Sequence, residues 1–243
     1  MRKRIDLLLV ERGLFDSRAK ARAAIEAGGV SVDGRLIAKV SEAVEETAEI
    51  VAVAAHDFVG RGALKLDHAL NLWPVPVEGR TVLDVGASTG GFTEVCLRRG
   101  AERVYAVDVG RDQLHPRIAD DPRVIELSGQ DARTLDSAII PIPPGLVVCD
   151  LSFISVTKAL PAALTLAQAG ADLVLLVKPQ FEAGRRAVGK GGIVSDPAVR
   201  EACLGMVCAW LDGAGWPVRE RADSPISGGD GNREFLVWAR KRP

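Results

Sequence analysis

Hydrophobic positions recur with a helical period in the first part of the chain. Two short segments each place three apolar residues on one face of a helix, namely Ile5, Leu8 and Leu9, then Ala21, Ala24 and Ile25. Ser17 precedes the second segment, at a position where serine commonly caps a helix. Gly28 and Gly29 follow it and are expected to end it. We therefore predict two helices before residue 30.

Short β-segments follow these two helices. Val30–Val32 and Arg35–Ile37 are separated by Asp33-Gly34, a dipeptide that favours a two-residue hairpin turn. Residues 49–53 are predicted to form a third strand. Residues 1–57 thus read as a small α+β module, which is too small to be an enzyme by itself.

The pattern changes after residue 57 to strands that alternate with helices. Residues 58–61 are predicted to be an interdomain linker, and Gly62–Trp73 a helix that ends before Pro74. Strands are predicted at 81–85, 103–107, 124–127, 146–150, 172–177, 218–222 and 235–239. This alternation predicts a Rossmann-like α/β domain over residues 62–243, with a mostly parallel, doubly wound sheet.

Charge is distributed unevenly along the chain. The formal net charge is −1, which excludes a basic field over the whole protein. Residues 1–25, however, carry seven basic and three acidic side chains. Such a local basic face favours contact with RNA phosphates. The candidate RNA-binding residues are Arg4, Arg18, Lys20 and Arg22. A dimerisation or packing module is the alternative.

Cysteine usage and hydropathy bear on the compartment. The four cysteines form no Cys-x-x-Cys pair, so we expect neither a metal site nor a disulfide. The most apolar window, 160–177, is interrupted by Pro161, Gln168, Gly170 and Asp172, and a helix, a turn and a buried strand explain it better than a membrane span. No secretory leader pattern is visible at the start. We expect a cytoplasmic protein.

A glycine-rich turn stands between the first strand and the second helix of the larger domain. The strand ends near Asp84, and the turn Gly86-Ala87-Ser88-Thr89-Gly90 follows. The next strand ends at Asp108, at the spacing expected between a nucleotide-binding turn and a carboxylate that binds ribose. The pattern indicates a cofactor with an adenosine end, although glycines in an ordinary strand-to-helix turn remain the alternative.

Three cofactor classes compete for this turn. A dinucleotide site would need glycine where Ser88 stands, and a phosphate-binding Walker loop would need lysine after Gly91. S-adenosylmethionine instead needs an acid and backbone N–H groups for its amino-acid end, which Asp84 and the turn could supply. We therefore predict an S-adenosylmethionine site, with Asp108 accepting hydrogen bonds from the ribose hydroxyls.

The same turn also fits the nucleophile motif of hydrolases, Gly-x-Ser-x-Gly. A catalytic triad in these enzymes runs serine, acid, histidine along the chain. His56 and His68 precede Ser88, and His115 follows it too closely for an intervening acid on its own strand. The hydrolase hypothesis is therefore weak.

Five segments in order resemble one known family. They are Phe58–Leu66, Asp84–Thr93, Cys149–Ser155, Val177–Glu182 and Gly231–Leu236. Together they resemble the TlyA-type ribosomal RNA methyltransferases, a family also named haemolysin A. The resemblance runs nearly end to end, and residues 1–57 are similar to the ribosomal-protein-type RNA-binding domain with the alpha-L motif. Gly60 departs from the serine that the family usually has there.

The resemblance implies methyl transfer from S-adenosylmethionine to a ribose 2′-hydroxyl, expected on a cytidine of ribosomal RNA in ribosomal subunits. It places four residues in a catalytic tetrad: Lys65, Asp150, Lys178 and Glu234. A lysine accepts a proton only when burial or neighbouring cations favour its neutral form. Lys178 is assigned the base and Lys65 orients the hydroxyl, while Asp150 and Glu234 fix the geometry.

The implied cofactor set extends beyond the turn. Asp131 is expected near the adenine, and the full set is Asp84, Gly86, Ala87, Ser88, Thr89, Gly90, Phe92, Asp108 and Asp131. The glycine-rich stretch Val188–Gly192, which contains Lys190, is expected to form a loop over the site. No membrane and no obligate protein partner are expected. A membrane-active haemolysin and a catalytically silent RNA-binding or ribosome-assembly factor remain as alternatives.

Overall fold

A computed structural model describes residues 1–184, 187–228 and 230–243 of the protein. The chain forms two compact units, Met1–Arg61 and Gly62–Pro243. Each unit has its own buried hydrophobic core.

The first unit combines two helices with short antiparallel strands. Its elements are β1 (Arg2–Arg4), α1 (Ile5–Glu11), α2 (Arg18–Glu26), β2 (Val30–Val32), β3 (Arg35–Leu36), β4 (Ala43–Glu45) and β5 (Ile50–Ala52). Strand β2 lies between β3 and β5, whereas β1 pairs with β4. The predicted helices, the Asp33-Gly34 hairpin and the third strand are confirmed. Ser17 caps α2 by accepting a hydrogen bond from the Lys20 N–H at 3.3 Å.

The second unit alternates strands and helices as predicted. Its strands are β6 (Thr81–Val85), β7 (Arg103–Asp108), β8 (Val124–Ser128), β9 (Leu146–Cys149), β10 (Asp172–Val177), β11 (Val218–Asp223) and β12 (Phe235–Arg240). Its helices are α3 (Gly62–Leu72), α4 (Gly91–Arg98), α5 (Pro116–Ala119), α6 (Val156–Ala159), α7 (Pro161–Leu166), α8 (Pro179–Glu182) and α9 (Pro197–Gly213).

Within the described residues these strands form one sheet of seven, in the order β11-β12-β10-β9-β6-β7-β8. Strand β12 is antiparallel to both β10 and β11. The other neighbouring strands, from β10 through β9, β6 and β7 to β8, are parallel to one another. The chain runs outward from β6 through β7 to β8, then returns to the other side of β6 with β9. This reversal creates a crevice at the carboxyl ends of β6 and β9, where ligands of such sheets bind.

The apolar window that raised the membrane question is part of the domain core. Helix α7 covers its first part, Gly170 turns the chain with a φ of 71°, and β10 lies in the sheet with every residue buried. Over the ranges that the structure describes, no helix has the length and apolar character needed to cross a bilayer.

Candidate active site

A cavity of about 470 Å³ lies at the reversal point of the sheet. Its wall includes the ends of β6 and β7, with Gly86 and Asp108, and the segment Asp150–Phe153 that follows β9. Its volume falls in the range of roughly 300–1,000 Å³ that is typical of small-molecule sites. The cavity thus lies where the sequence pattern predicted a cofactor.

The glycine-rich turn has a glycine with a positive φ at each end. A Cβ atom on Gly86 would lie 2.7 Å from the carbonyl oxygen of Asp150, and the φ of 89° there also favours glycine. Gly90 has a φ of 90° and precedes the first residue of α4. The turn therefore passes unusually close to the segment that carries Asp150.

The donors of this turn are largely used within the protein. The N–H groups of Gly86 and Ala87 donate to the Val107 carbonyl, and that of Gly90 to the Ala87 carbonyl. The Ser88 N–H donates to Asp108 Oδ2 at 2.8 Å. These four N–H groups are therefore already bonded within the protein. The sequence had predicted that the N–H groups of the turn would bind the amino-acid end of the cofactor.

Asp108 lies on the cavity wall, where the spacing argument places it. Its carboxylate accepts from the Ser88 N–H and, through Oδ1, from the Gly110 N–H at 2.8 Å. Each oxygen keeps a second lone pair for a ligand hydroxyl. The two backbone donors hold the carboxylate in place at the cavity wall.

Asp84 lies behind the turn and is not part of the cavity wall. It is fully buried, and its Oδ2 accepts from the Thr93 hydroxyl at 2.6 Å. Burial raises the pKa of Asp84 to about 7; the Thr93 hydrogen bond opposes this shift, and the Asp150 carboxylate adds to it. Its Oδ1 has no hydrogen-bond partner among the residues described. The side chain therefore links the end of β6 to the first turn of α4.

The other predicted cofactor residues occupy varied positions. Ala87 and Phe92 are buried, and the carbonyl of exposed Thr89 accepts from the His115 N–H. Asp131 caps a 3-10 turn and pairs with Arg133 at 2.6 Å, whose hydrogen bond lowers the pKa of Asp131 to about 2. Its neighbours Gln130 and Ala132 line the cavity, and the adenine role that the resemblance implies stays a prediction.

Sequence reasoning missed several residues of the cavity wall. They are Val109, Gly110, Gln113, Gln130, Ala132, Leu151, Ser152 and Phe153. Most of them stand one to five residues beyond a predicted strand end, so proximity to the strand ends was the available signal. Phe153 is 91% exposed with a φ of 68°, an uncommon conformation for a bulky residue.

The four predicted catalytic residues form two ion pairs. Lys178 Nζ lies 2.6 Å from Asp150 Oδ1 and also donates to Ser152 Oγ at 2.9 Å. Lys65 Nζ lies 2.5 Å from Glu234 Oε2, and both side chains are over 90% buried. Buried ion pairs contribute little to stability, because desolvation offsets their attraction. A role in chemistry therefore explains the Lys65–Glu234 pair better than a role in stability.

Helix α3 touches both pairs. Lys65 lies on its first turn and reaches Glu234, while a Cβ atom on Gly62 would lie 3.3 Å from Asp150 Oδ2. Asp150 and Lys178 directly follow β9 and β10, and Glu234 directly precedes β12. The sheet and α3 therefore bring together residues that are far apart in the sequence.

The predicted glycine-rich loop is tied to the segment that carries Glu234. Lys190–Gly192 form a 3-10 turn, and the side chain of buried Asn232 forms hydrogen bonds with Gly192 and Val194. Its Oδ1 accepts from the Val194 N–H at 3.0 Å, and its Nδ2 donates to the Gly192 carbonyl at 2.9 Å. The Lys190 side chain is exposed.

The candidate RNA-binding residues of the first unit face carboxylates. Arg4 and Arg18 both pair with buried Asp6, at 3.0 and 2.7 Å. Burial would raise the pKa of Asp6, but the hydrogen bonds from these two arginines outweigh it and lower the pKa. The remaining pairs, Lys20–Asp16 and Arg22–Glu26, are both 2.7 Å long. The basic face is thus a set of ion pairs, in which Arg18 has a structural task.

The hydrolase alternative finds no triad. Ser88 has a φ of 48° and an exposed side chain, but His115 Nδ1 accepts from the Arg117 N–H at 3.2 Å and caps α5. In the ranges described, no hydrogen bond joins Ser88 to a histidine.

Comparisons with known families agree with this geometry. The FtsJ-like methyltransferase family matches residues 58–241, and the S4 domain family matches residues 3–50. The S4 match covers the unit with the basic face, and the methyltransferase match covers the sheet, the cavity and both ion pairs.

Relatives share this arrangement over nearly their full length. A Mycobacterium tuberculosis protein named 16S/23S rRNA (cytidine-2′-O)-methyltransferase TlyA is 45% identical over 241 residues, which cover 98% of this chain and 90% of that protein. Hemolysin A of Brachyspira hyodysenteriae is 37% identical over 235 residues, 96% of this chain and 98% of its own. A solved structure from Streptococcus thermophilus, named as a hemolysin, has a TM-score of 0.79 at 38% identity and covers 99% of this chain and 89% of its own. The chain therefore belongs to the TlyA family, in which an S4 domain precedes an FtsJ-like, S-adenosylmethionine-dependent methyltransferase domain.

Proposed function

We propose that this protein methylates a ribose 2′-hydroxyl, that of a cytidine, in ribosomal RNA within ribosomal subunits. The observation behind the proposal is the Lys178–Asp150 pair, whose Asp150 lines the cavity, together with the buried Lys65–Glu234 pair. Helix α3 carries Lys65 and places Gly62 beside Asp150. The name of the Mycobacterium tuberculosis relative supports cytidine and the 2′-oxygen as the targets.

The cofactor end of the site is assigned to the turn and to Asp108. When bound, S-adenosylmethionine supplies a methyl group carried on a positively charged sulfur. Asp108 accepts from the ribose hydroxyls with the lone pairs that the Ser88 and Gly110 N–H groups leave free. Gly86 keeps the wall open, because any side chain there would collide with the Asp150 backbone.

Lys178 is assigned the proton transfer. A ribose hydroxyl is a weak nucleophile near neutral pH and must lose its proton as it attacks. Lys178 is buried, and its Nζ lies 2.6 Å from Asp150 Oδ1. Asp150 and Ser152 hold Nζ in a fixed place, so that Nζ receives the proton of a correctly placed hydroxyl.

The second pair is assigned to orientation. Glu234 holds Lys65 Nζ at 2.5 Å, and the remaining protons of the ammonium point donors at the hydroxyl oxygen. Alignment of two reacting groups contributes roughly 7–11 kcal/mol in favourable cases. We therefore assign much of the rate enhancement to positioning by the two pairs.

The S4 unit is assigned the capture of RNA. The chain contains one tyrosine and four tryptophans, so base stacking on a row of aromatic residues is a poor explanation for binding. Basic side chains on α2, including Lys20 and Arg22, instead suit the phosphates of a folded RNA element. Recognition would then depend on RNA shape more than on base sequence.

Incubation with ribosomal subunits and S-adenosylmethionine labelled in the methyl group tests this function. Wild type should transfer label to RNA, and Lys178→Ala should abolish transfer while its affinity for S-adenosylmethionine, measured by calorimetry, stays near that of wild type. Lys158→Ala, which removes an exposed lysine, serves as the matched control. Unlabelled RNA with wild type would indicate a catalytically silent RNA-binding protein. Full activity of a folded Lys178→Ala variant would remove Lys178 from the base role.

A further inference from the structure

The short helix α8 contacts the loop between β9 and α6 at two places. Glu182 Oε2 accepts from the Ser155 hydroxyl at 2.6 Å, and Glu182 Oε1 accepts from the Val156 N–H at 2.9 Å. The rings of Phe181 and Phe153 lie 5.3 Å apart at an angle of 52°. The segment that begins with Lys178 is therefore bound to the loop that begins with Asp150 by two hydrogen bonds and a ring contact.

The sheet alone does not fix these two segments against each other. Strands β9 and β10 pair only from Leu146 with Asp172 to Cys149 with Leu175. Beyond that point Asp150 bonds back to β6, through its N–H and the Val85 carbonyl. The relative position of the Asp150 and Lys178 segments is therefore set by side-chain contacts.

The loop also needs an external restraint. Phe153 has a φ of 68°, which a bulky residue adopts only where its surroundings enforce it. Glu182 provides a fixed point on the far side of Phe153 from Asp150. Lys178 provides the near one, through Asp150 and Ser152.

A carboxylate suits this task better than an amide. Its two oxygens accept from a hydroxyl and from a backbone N–H at the same time, whereas glutamine has a single acceptor oxygen. The Ser155 oxygen in turn accepts from the Thr157 N–H at 3.3 Å and so caps α6. Glu182 thus orients the hydroxyl that starts the next helix.

We infer that Glu182 is a positioning residue for the methyl transfer, which acts by holding the Asp150 loop in register with Lys178. This inference rests on the proposed function. Glu182 itself does not line the cavity, so its effect must pass through Ser155 and Val156 to the loop. Loss of this carboxylate should misplace Asp150 relative to Lys178 without removing either group.

The test compares Glu182→Ala, Glu182→Gln and Ser155→Ala in methyl transfer to ribosomal subunits. Glu182→Ala should lower kcat by about tenfold to a hundredfold, because small misplacements of reacting groups have effects of this size. The KM for S-adenosylmethionine should stay within about threefold of wild type, because the Asp108 side of the cavity is untouched. Glu182→Gln should fall between Glu182→Ala and wild type, since it keeps one acceptor.

A double variant separates positioning from general destabilisation. Because Glu182 acts on the loop through Ser155, Ser155→Ala combined with Glu182→Ala should be about as slow as Glu182→Ala alone. Asp136→Ala is the matched control, because Asp136 accepts from the Ala138 and Ile139 N–H groups away from the ion pairs. It should lower thermal stability without lowering kcat.

Several outcomes would overturn the inference. A kcat for Glu182→Ala within about twofold of wild type would do so, as would a kcat that recovers fully well below the melting temperature of the variant. If Glu182→Ala does not fold, an unchanged kcat in Glu182→Gln and Ser155→Ala decides against it. A wild-type protein that transfers no methyl group refutes the proposed function and the inference together, whereas active wild type with equally active variants refutes the inference alone.

Discussion

Single residues near the cavity show how burial and hydrogen bonding divide similar carboxylates into different tasks. Asp84 and Asp108 end neighbouring strands, yet one is fully buried and the other lies on the cavity wall. Asp84 bonds a hydroxyl in α4, whereas Asp108 bonds two backbone N–H groups around the site. The first therefore links β6 to α4, and the second lies where we propose that the cofactor binds.

The raised pKa of Asp84 predicts a change of stability with pH. Burial raises the pKa to about 7 in the folded protein, whereas aspartate in an unfolded chain titrates near 3.9. Between these values the folded protein holds a proton that the unfolded chain has released. The contribution of Asp84 to the free energy of unfolding is therefore fully present below about pH 4 and is lost as pH rises to about 7.

The Asp84→Asn variant lacks this titration and isolates it. The free energy of unfolding of the variant, minus that of wild type, should rise between about pH 4 and pH 8 by an amount on the order of 4 kcal/mol. Urea unfolding at a series of pH values measures this difference, in which the contributions of the three histidines largely cancel. A difference that does not change with pH would contradict the assigned pKa.

Residue positions at the site were predictable, but most pairings were not. Asp108, Asp150 and Lys178 follow strand ends in the sequence, and parallel strands bring their carboxyl ends to one edge. The Lys65–Glu234 pair joins residues 169 positions apart on a helix and a loop. No local pattern encodes such a contact, and only the family resemblance placed the two residues together.

At the scale of elements, the strand–turn–helix unit β6–α4 determines the shape of the cavity. The turn passes so close to the segment after β9 that Gly86 has no room for a side chain. Gly79, just before β6, also has a positive φ of 69°, but nothing lies within 4 Å of its Cβ position. Substitutions at these two glycines therefore allow the effect of backbone strain to be distinguished from the effect of crowding around the new side chain.

We expect Gly86→Ala and Gly79→Ala to differ in function more than in strain. Each substitution should lower stability by roughly 1–2 kcal/mol through its positive φ. Only Gly86→Ala should also push the Asp150 backbone, and it should lower methyl transfer and S-adenosylmethionine affinity by at least about tenfold. Calorimetry and initial rates measure both effects. Equal activity of the two variants would show that this close approach is unimportant.

Elements with strong periodicity were predicted well, and weak ones were missed. The strands of the sheet and α3 follow their predicted ranges within about two residues. Strands β1 and β4 were missed, because β1 is composed of Arg2, Lys3 and Arg4, and β4 has a single buried residue, Val44. A polar strand of this length has no hydrophobic alternation, and its pairing depends on a partner 40 residues away.

In the whole molecule, we assign RNA binding to the S4 unit and methyl transfer to the methyltransferase unit. The S4 unit carries an excess of basic residues over its first 25 positions, and the methyltransferase unit carries the cavity and both ion pairs. Arg18 is a poor probe of RNA binding, because reversing its charge would leave buried Asp6 beside a second acid. Lys20 and Arg22 form pairs on the surface of α2, which contribute little to stability.

Reversal of Lys20 and Arg22 to glutamate should weaken binding to ribosomal subunits and flatten its dependence on salt. Each lost phosphate contact should lower the slope of log affinity against log salt by roughly 0.7–0.9. S-adenosylmethionine affinity should not change. Reversal of Arg219 and Arg221, on edge strand β11, changes the charge equally and is the matched control. Equal losses in both double variants would remove the S4 unit from its role as the RNA anchor.

The chemical position of the transferred methyl group is the most direct test of methylation at the ribose 2′-hydroxyl of a cytidine. Ribosomal RNA labelled by the wild-type protein should be digested to nucleosides and separated against authentic standards. We expect the label to migrate with 2′-O-methylcytidine. Alkali should leave the adjacent phosphodiester bond intact, because its attacking hydroxyl is blocked. Label on a base carbon or nitrogen would contradict ribose methylation. Ribose labelling by Lys178→Ala as strong as that by wild type would contradict the role of Lys178.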